Sequence, residues 1–237
     1  MVLLGTIVNG ICIMIGTLIG KLLHRIPEGI KATVMHGIAL AVIVLGLQMG
    51  FKSTNFLIVI LSIVIGAVIG EILALEAKLN ALGIWLEKKV ASKEQGSIAQ
   101  GFVTATLIFV IGAMAIIGAL DSGIRGDHAV LYTKAMIDGF TALILTTTLG
   151  IGVIFSVIPV VIYQGGIALF ATQIDRLIPQ ELMDHFILEM TATGGLMIFA
   201  IGLNLLGVTK IRVANFLPGI IIVAILVSLL YGYERIF

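Results

Sequence analysis

Charge is scarce in this sequence. Asp, Glu, Lys and Arg make up 11% of the 237 residues, against 59% hydrophobic residues and a formal net charge of +1. A balance that close to zero gives no basic surface for nucleic acid. There is one cysteine, Cys12, so no intrachain disulfide can form, and its place inside an apolar run reads as packing. Metal and nucleophile signatures are missing as well. The four histidines are scattered, and no H-x-x-x-H, C-x-x-C, G-x-S-x-G or phosphate-binding loop occurs. The expectation is a protein that is not an enzyme, with no catalytic residues, no metal and no cofactor.

What is abundant is apolar length. The mean hydropathy is +1.20, more apolar surface than a soluble domain can hide. A bilayer core of about 30 Å needs about 20 largely apolar residues per helix. Eight stretches qualify: 2–24, 30–51, 54–75, 98–120, 130–150, 152–174, 190–208 and 213–233. "TTTLGIGVIF" leaves almost no loop between the fifth and sixth, and seven or nine spans are the alternatives. Residues 2–24 lack a basic n-region and a small-residue cleavage pattern, so they read as a retained first helix. The expected fold is all-α, a polytopic transmembrane helix bundle of about eight spans in one integral membrane domain, 1–237.

Loop charges orient it. With the N-terminus outside, the cytoplasmic loops hold Lys21, Arg25, Lys31, Lys78, Lys88, Lys89, Lys93, Lys210 and Arg212; the external side holds Lys52, Arg125, Lys134, Arg176 and Arg235. An even span number places the C-terminus outside too. Overlapping the segment 76–95, "LEAKLNALGIWLEKKV" spaces Leu75, Leu79, Leu82, Leu86 and Val90 at helical intervals, with charges on the other face. It reads as an interfacial amphipathic helix.

The two ends of the chain resemble each other. "NGICIMIG" at 9–16 matches "QGGIALFA" at 164–171, and "IPEGIKATVMHG" at 26–37 parallels "IPQELMDHFILEMTATGG" at 178–195. "LGLQMG" at 45–50 then matches "IGLNLLG" at 201–207, and "NFLIVI" at 55–60 matches "NFLPGI" at 215–220. The order suggests a three-helix repeat, 1–75 and 152–237, flanking central spans at 98–150. Spans 1–3 would correspond to spans 6–8, an odd offset that inverts the second copy. Inverted repeats are common in secondary transporters, whose sites lie where broken helices meet near the midplane.

Candidate site residues follow from that geometry. Gly165-Gly166 and Gly194-Gly195 are expected helix breaks, and Pro159 an expected kink. Asn9 aligns with Gln164, and Gln48 with Asn204. These four read either as a polar site or as interhelical glue. Asp138 is a carboxylate well inside a span, either paired with Lys134 one turn earlier or serving a coupling ion. Glu189 is placed at the start of the seventh span, beside its break. Thr146, Thr147 and Thr148 offer hydroxyl oxygens to an ion, or pack between helices. Gly16/Gly20, Gly46/Gly50 and Gly66/Gly70 have the four-residue spacing that lets helices approach closely.

The stretches "VIGAMAIIGALDSGIRGDHAVLYTKAMIDGF", "TTTLGIGVIFSVIPVVIYQGG" and "GGLMIFAIGLNLLGVTKIRVANFLPG" resemble the bacterial membrane protein family called domain of unknown function 554, over nearly the whole chain. The resemblance implies a prokaryotic inner-membrane protein loosely labelled as a transport protein, and it carries over no substrate and no site residues. The expectation is a secondary transporter of a small polar solute or ion, working by alternating access. The alternative is a channel or a structural subunit whose polar residues only hold helices together. Expected partners are the solute or ion, the lipid bilayer and a second copy of the chain as a homo-oligomer (dimer), with no nucleic acid.

Overall fold

The computed structural model describes residues 1–23, 28–90 and 97–234, and the regular structure among them is helical throughout. In chain order the helices are α1 (Leu4–Leu22), α2 (Glu28–Gly50), α3 (Phe56–Ile72), α4 (Leu75–Val90), α5 (Ser97–Val110), α6 (Ala113–Ile124), α7 (Ala129–Leu149), α8 (Val157–Leu177), α9 (Gln180–Leu205) and α10 (Pro218–Glu234). Short 3₁₀ turns at Ile151–Ser156 and Val213–Phe216 lead into α8 and α10.

Six helices are long and apolar enough to cross a membrane, and up to eight spans result if each of two bent pairs counts as one. The eight spans expected from the sequence are the upper end of that range. One bent pair is α3 with the start of α4, at 59°. The bend falls at Ala74, which adopts a left-handed φ of 51°, and α4 is the amphipathic segment expected at 76–95. Residues 91–95 of that segment lie outside the described residues, as do Arg25, Lys93 and Arg235 of the loop charges.

The other bent pair corrects the expectation for 98–120, which read as one continuous span. The helix breaks between α5 and α6, with a 62° bend. Gly112 sits at the break with φ 144°, a conformation that a residue with a Cβ rarely adopts. The pair still runs the length of α7. At one end a methyl on Gly152 would lie 2.3 Å from the Ile98 carbonyl oxygen; at the other, one on Gly118 would lie 2.9 Å from Leu131. That is the path of a single broken span.

The breaks expected at Gly165-Gly166 and Gly194-Gly195 do not occur: α8 and α9 pass through both pairs without interruption. Backbone polar groups in lipid must bond within their own helix, and glycine alone does not overcome that demand. Pro159 falls in the first turn of α8, directly after the 3₁₀ turn Ile151–Ser156, so it does not kink the helix middle. Glu189 also moves: α9 begins at Gln180, well before the expected start of the seventh span, so Glu189 lies inside the helix.

The contacts sort the chain into two compact units. The first comprises Met1–Ile38 and Leu79–Ile174; the second comprises Ala39–Lys78 and Asp175–Phe237. In the first, α1 buries Thr6, Asn9, Gly10, Ile13, Gly16, Thr17 and Gly20 while Ile15 and Leu18 on its other face stay half exposed. Small and polar residues face inward and large apolar ones outward, the pattern of a helix whose outer solvent is lipid. Helix α1 lies parallel to α7. A methyl on Gly16 would come 1.9 Å from the Gly139 carbonyl oxygen, and one on Gly20 2.4 Å from that of Leu143. Helix α8 runs antiparallel to α1, with Gly10 against Val157 and Val161, and Gly165 against Leu3 and Thr6.

In the second unit α2 and α9 are antiparallel. A methyl on Gly46 would meet the Phe199 amide nitrogen at 2.4 Å and the Gly195 oxygen at 2.7 Å; one on Gly202 would meet the Ile43 nitrogen at 2.9 Å and the Ala39 oxygen at 3.0 Å. Gly66 and Gly70 pack against Gly219 and Asn215 in the same way, whereas Gly50 meets only Leu196 at an ordinary 3.8 Å. Close approach thus explains five of these six glycines and not Gly50.

Gly16→Val should cost about 3 kcal/mol or more, because backbone, not a movable side chain, occupies the space. Gly166→Ala, with nothing within 4 Å of its added methyl, should be neutral or stabilising by up to about 1 kcal/mol. Thermal unfolding in detergent checks both; a loss on Gly166→Ala would mean that α8 does need a flexible point there.

Candidate functional site

Asn9 stands at the centre of the buried polar group in the first unit. Its position follows from α1: it shares the inward face with Thr6, Ile13 and Gly16, and glycines at 5, 16 and 20 let α7 approach. The Asn9 Nδ2 donates to Asp138 Oδ2 at 3.1 Å and to Gln164 Oε1 at 3.2 Å, so one amide joins α1, α7 and α8. Lys134 Nζ donates to Asp138 Oδ1 at 3.0 Å and lies 2.9 Å from Oδ2. Lys134 is 7% exposed and Asp138 4%, and Asn9 and Gln164 are fully buried. Lys134 is therefore no external loop charge: it belongs to the interior of α7, which removes one cation from the side it was expected to mark.

A buried carboxylate and a buried ammonium neutralise each other here, which recovers part of the cost of placing either in a bilayer. The amides are less fully used. Asn9 Oδ1 and Gln164 Nε2 are buried with no hydrogen-bond partner among the described residues, and so is Thr6 Oγ1 one turn before Asn9. Buried polar atoms nearly always find partners, so an unpaired acceptor and an unpaired donor on two touching amides mark the group as incomplete. Along α7, Asp138 lies about 10 Å beyond Leu131, and along α6 Gly112 lies about 9 Å from Gly118, the residue that meets Leu131. The α5–α6 break is therefore level with the polar group.

Three of the expected site residues, Asn9, Asp138 and Gln164, thus come together. Gly165 lies beside them on α8, its added methyl 3.9 Å from Thr6. The three threonine hydroxyls donate to carbonyls of their own helix. Thr146 Oγ1 bonds the Ala142 carbonyl, Thr147 that of Ile144 and Thr148 that of Leu145.

The remaining expected residues belong to the second unit. Glu189, 1% exposed, accepts four hydrogen bonds from the connection before α3: Ser53 Oγ at 2.6 Å, Thr54 N at 2.8 Å, and Thr54 Oγ1 and Asn55 N at 2.9 Å each. It is an N-terminal cap supplied by another helix, with the α3 dipole favouring its charge. Asn204 is equally occupied. Its Nδ2 donates to the Ile211 carbonyl at 2.7 Å, and its Oδ1 accepts from Thr209 Oγ1 and Ile211 N; it holds the connection to α10. Gly194 is buried within unbroken α9, and Gln48 is exposed on α2.

Sequence reasoning passed over Thr6, although its spacing from Asn9 puts both on one helical face. It also passed over the tie between the α3–α4 bend and the start of α10. There Asn215 accepts from Glu76 N at 2.8 Å and donates to Glu71 Oε2 at 2.6 Å, Glu76 accepts from Ala214 N, and Arg212 pairs with Glu71. Nothing in the spacing of residues so distant in sequence signals that contact. Among the described residues no three His, Cys, Asp or Glu side chains are grouped to hold a metal ion.

Two substitutions separate tie from site. Glu189→Ala strands four donors and should cost roughly 2–4 kcal/mol, with Glu189→Gln losing less than half of that. Asp138→Asn leaves Lys134 buried without its counter-charge and should cost about 3 kcal/mol, most of it recovered by adding Lys134→Gln. Thermal melts of the single and double variants give both answers.

Comparison with known proteins places this arrangement. The family described as protein of unknown function (DUF554) matches residues 4–228. "Uncharacterized membrane protein YdfK" of Bacillus subtilis (strain 168) is 30% identical over 234 residues, 97% of each chain. "Uncharacterized protein YqgA" of Escherichia coli (strain K12) is 32% identical over 227 residues, 92% of this chain and 94% of that one. No solved structure matches. With its all-helical membrane-spanning fold and a family match over nearly its full length, the chain belongs to the DUF554 family of membrane proteins.

Proposed function

We propose that the protein is a secondary transporter of a small polar solute or ion, and that the Asn9–Lys134–Asp138–Gln164 group is its binding site. The single observation that carries this reading is the pair of unmatched amide atoms, Asn9 Oδ1 and Gln164 Nε2, in a fully buried cluster beside a charge pair. Charge and unpaired polarity in a bilayer are costly, and a pathway for a polar species accounts for them.

The repeat supports the same reading. Asn9 and Gln164 hold matching positions in "NGICIMIG" and "QGGIALFA" and bond to each other across antiparallel helices. Under that alignment Gly10 falls on Gly165 and Val161 on Thr6, so the Gly10–Val161 and Gly165–Thr6 contacts are one contact seen twice. Aligning Gly46 with Gly202 puts Ala39 on Gly195 and Ile43 on Phe199, and again the two sets of contacts are reciprocal. Reciprocal contacts between antiparallel equivalents are what a two-fold axis in the membrane plane produces. Two inverted copies exchanging roles give alternating access. The broken α5–α6 span at the level of the cluster fits such a site as well. In this reading both termini face outward from a bacterial inner membrane and the chain works as a homodimer.

A structural role is the second reading, and Glu189 and Asn204 favour it, since both spend all their polar atoms on holding connections. Reconstitution distinguishes the two. A transporter gives saturable, gradient-driven uptake into proteoliposomes, lost in Gln164→Ala. Single-channel current in planar bilayers would indicate a channel instead, and neither flux nor current a structural subunit. A screen of solutes by thermal shift should find one that stabilises the protein by about 2.7 kcal/mol at a hundredfold excess over Kd, and Asn9→Ala should remove the effect.

A further inference from the structure

We infer that the solute is a small zwitterion, an ammonium and a carboxylate carried on one carbon as in a short α-amino acid; this rests on the site proposed above and names its substrate class. The four side chains divide evenly by chemistry. Asp138 and Asn9 Oδ1 are acceptors, one of them anionic; Lys134 and Gln164 Nε2 are donors, one of them cationic. Lys134 and Asp138 satisfy each other, at 2.9 and 3.0 Å, while the amide oxygen and the amide nitrogen are left over.

A bare cation would answer Asn9 Oδ1 and Asp138 but leave the Gln164 donor unpaired and add net charge to a buried neutral group. A bare anion would answer Gln164 and Lys134 but leave Asn9 Oδ1 unpaired, with the same charge penalty. A zwitterion answers all four and adds no net charge. Its ammonium donates to Asp138 and Asn9 Oδ1, and its carboxylate accepts from Lys134 and Gln164 Nε2. Lys134 sits on a flexible four-carbon stem one helical turn from Asp138, so it can swing aside and let the solute take its place in the pair. The Lys134–Asp138 bridge is then the internal substitute for the solute, holding the site neutral when nothing is bound. The Thr6 hydroxyl, buried and unpaired on the same face of α1, supplies a further hydrogen bond.

The test uses the full-length protein in lipid nanodiscs. Glycine, alanine and serine are compared by thermal shift with single-charge analogues, acetate, propionate and ethylammonium, and with glycerol and sodium chloride. Expected is a concentration-dependent rise in melting temperature with at least one zwitterion and none with any single-charge analogue. In Asn9→Leu and Gln164→Met the apparent affinity should fall at least tenfold. Size-exclusion elution and circular dichroism show that each variant is folded; if Asn9→Leu is not, Gln164→Met with Thr6→Val carries the comparison. If a single-charge ion stabilises the protein and Gln164→Met abolishes that, the site stands and the zwitterion is wrong. If a zwitterion stabilises wild type and every variant alike, the site itself is misplaced. Absence of any zwitterion effect overturns the inference.

Discussion

Helices in this protein approach one another backbone to backbone. At Gly16 of α1 and Gly139 of α7 no side chain separates the two helices, and a single added methyl would collide with a carbonyl oxygen. Lipid tails are as apolar as leucine, so burying large side chains between helices brings no hydrophobic gain. Dispersion contact between surfaces that fit is what remains, and small residues allow it. This is why the chain turns Ile15 and Leu18 outward and keeps glycine, threonine and asparagine within. It also sets the reach of the polar groups. Only because α1 lies so close to α7, and α8 so close to α1, can the short side chain of Asn9 bond to both Asp138 and Gln164.

A chain with so few charged residues makes each buried one explicable. Asp138 is neutralised by Lys134. Glu189, with no cation in ion-pair range among the described residues, is instead surrounded by four donors at the start of a helix. Outside that buried set, the exposed Glu71 and the half-buried Glu76 are engaged at the α3–α4 bend. Full use of hydrogen-bonding capacity marks a tie: Glu189 and Asn204 each fix a connection. Partial use marks the Asn9 group, where two amides meet and leave a donor and an acceptor over. That difference, rather than burial alone, separates the first unit's cluster from Glu189 and Asn204.

Composition determined the solvent, and the apolar runs determined the helices, because a bilayer admits few alternatives to a hydrogen-bonded helix about 20 residues long. The inward face of α1 was also legible, since Asn9, Gly16 and Gly20 follow helical spacing. So was the pairing of Asn9 with Gln164, which the match between the two ends of the chain placed at equivalent positions. Lys134 and Asp138 one turn apart made their ion pair readable as a possibility. What local sequence could not settle was which glycines break a helix. Gly194 and Gly195 lie within unbroken α9, where Gly195 meets the backbone of α2, while Gly112, alone in an apolar run, takes a φ of 144° where α5 ends. Sequence also could not separate Asn204 from Asn9, two asparagines in apolar helices. The connection after α9 folds back onto Asn204 and uses its amide completely, whereas Asn9 faces two other helices and is left with an unpaired oxygen. Period and hydropathy are properties of a segment, but a hydrogen-bond partner far away in the chain is a property of packing, and packing alone decided which polar residues are fully bonded ties and which keep an unpaired atom.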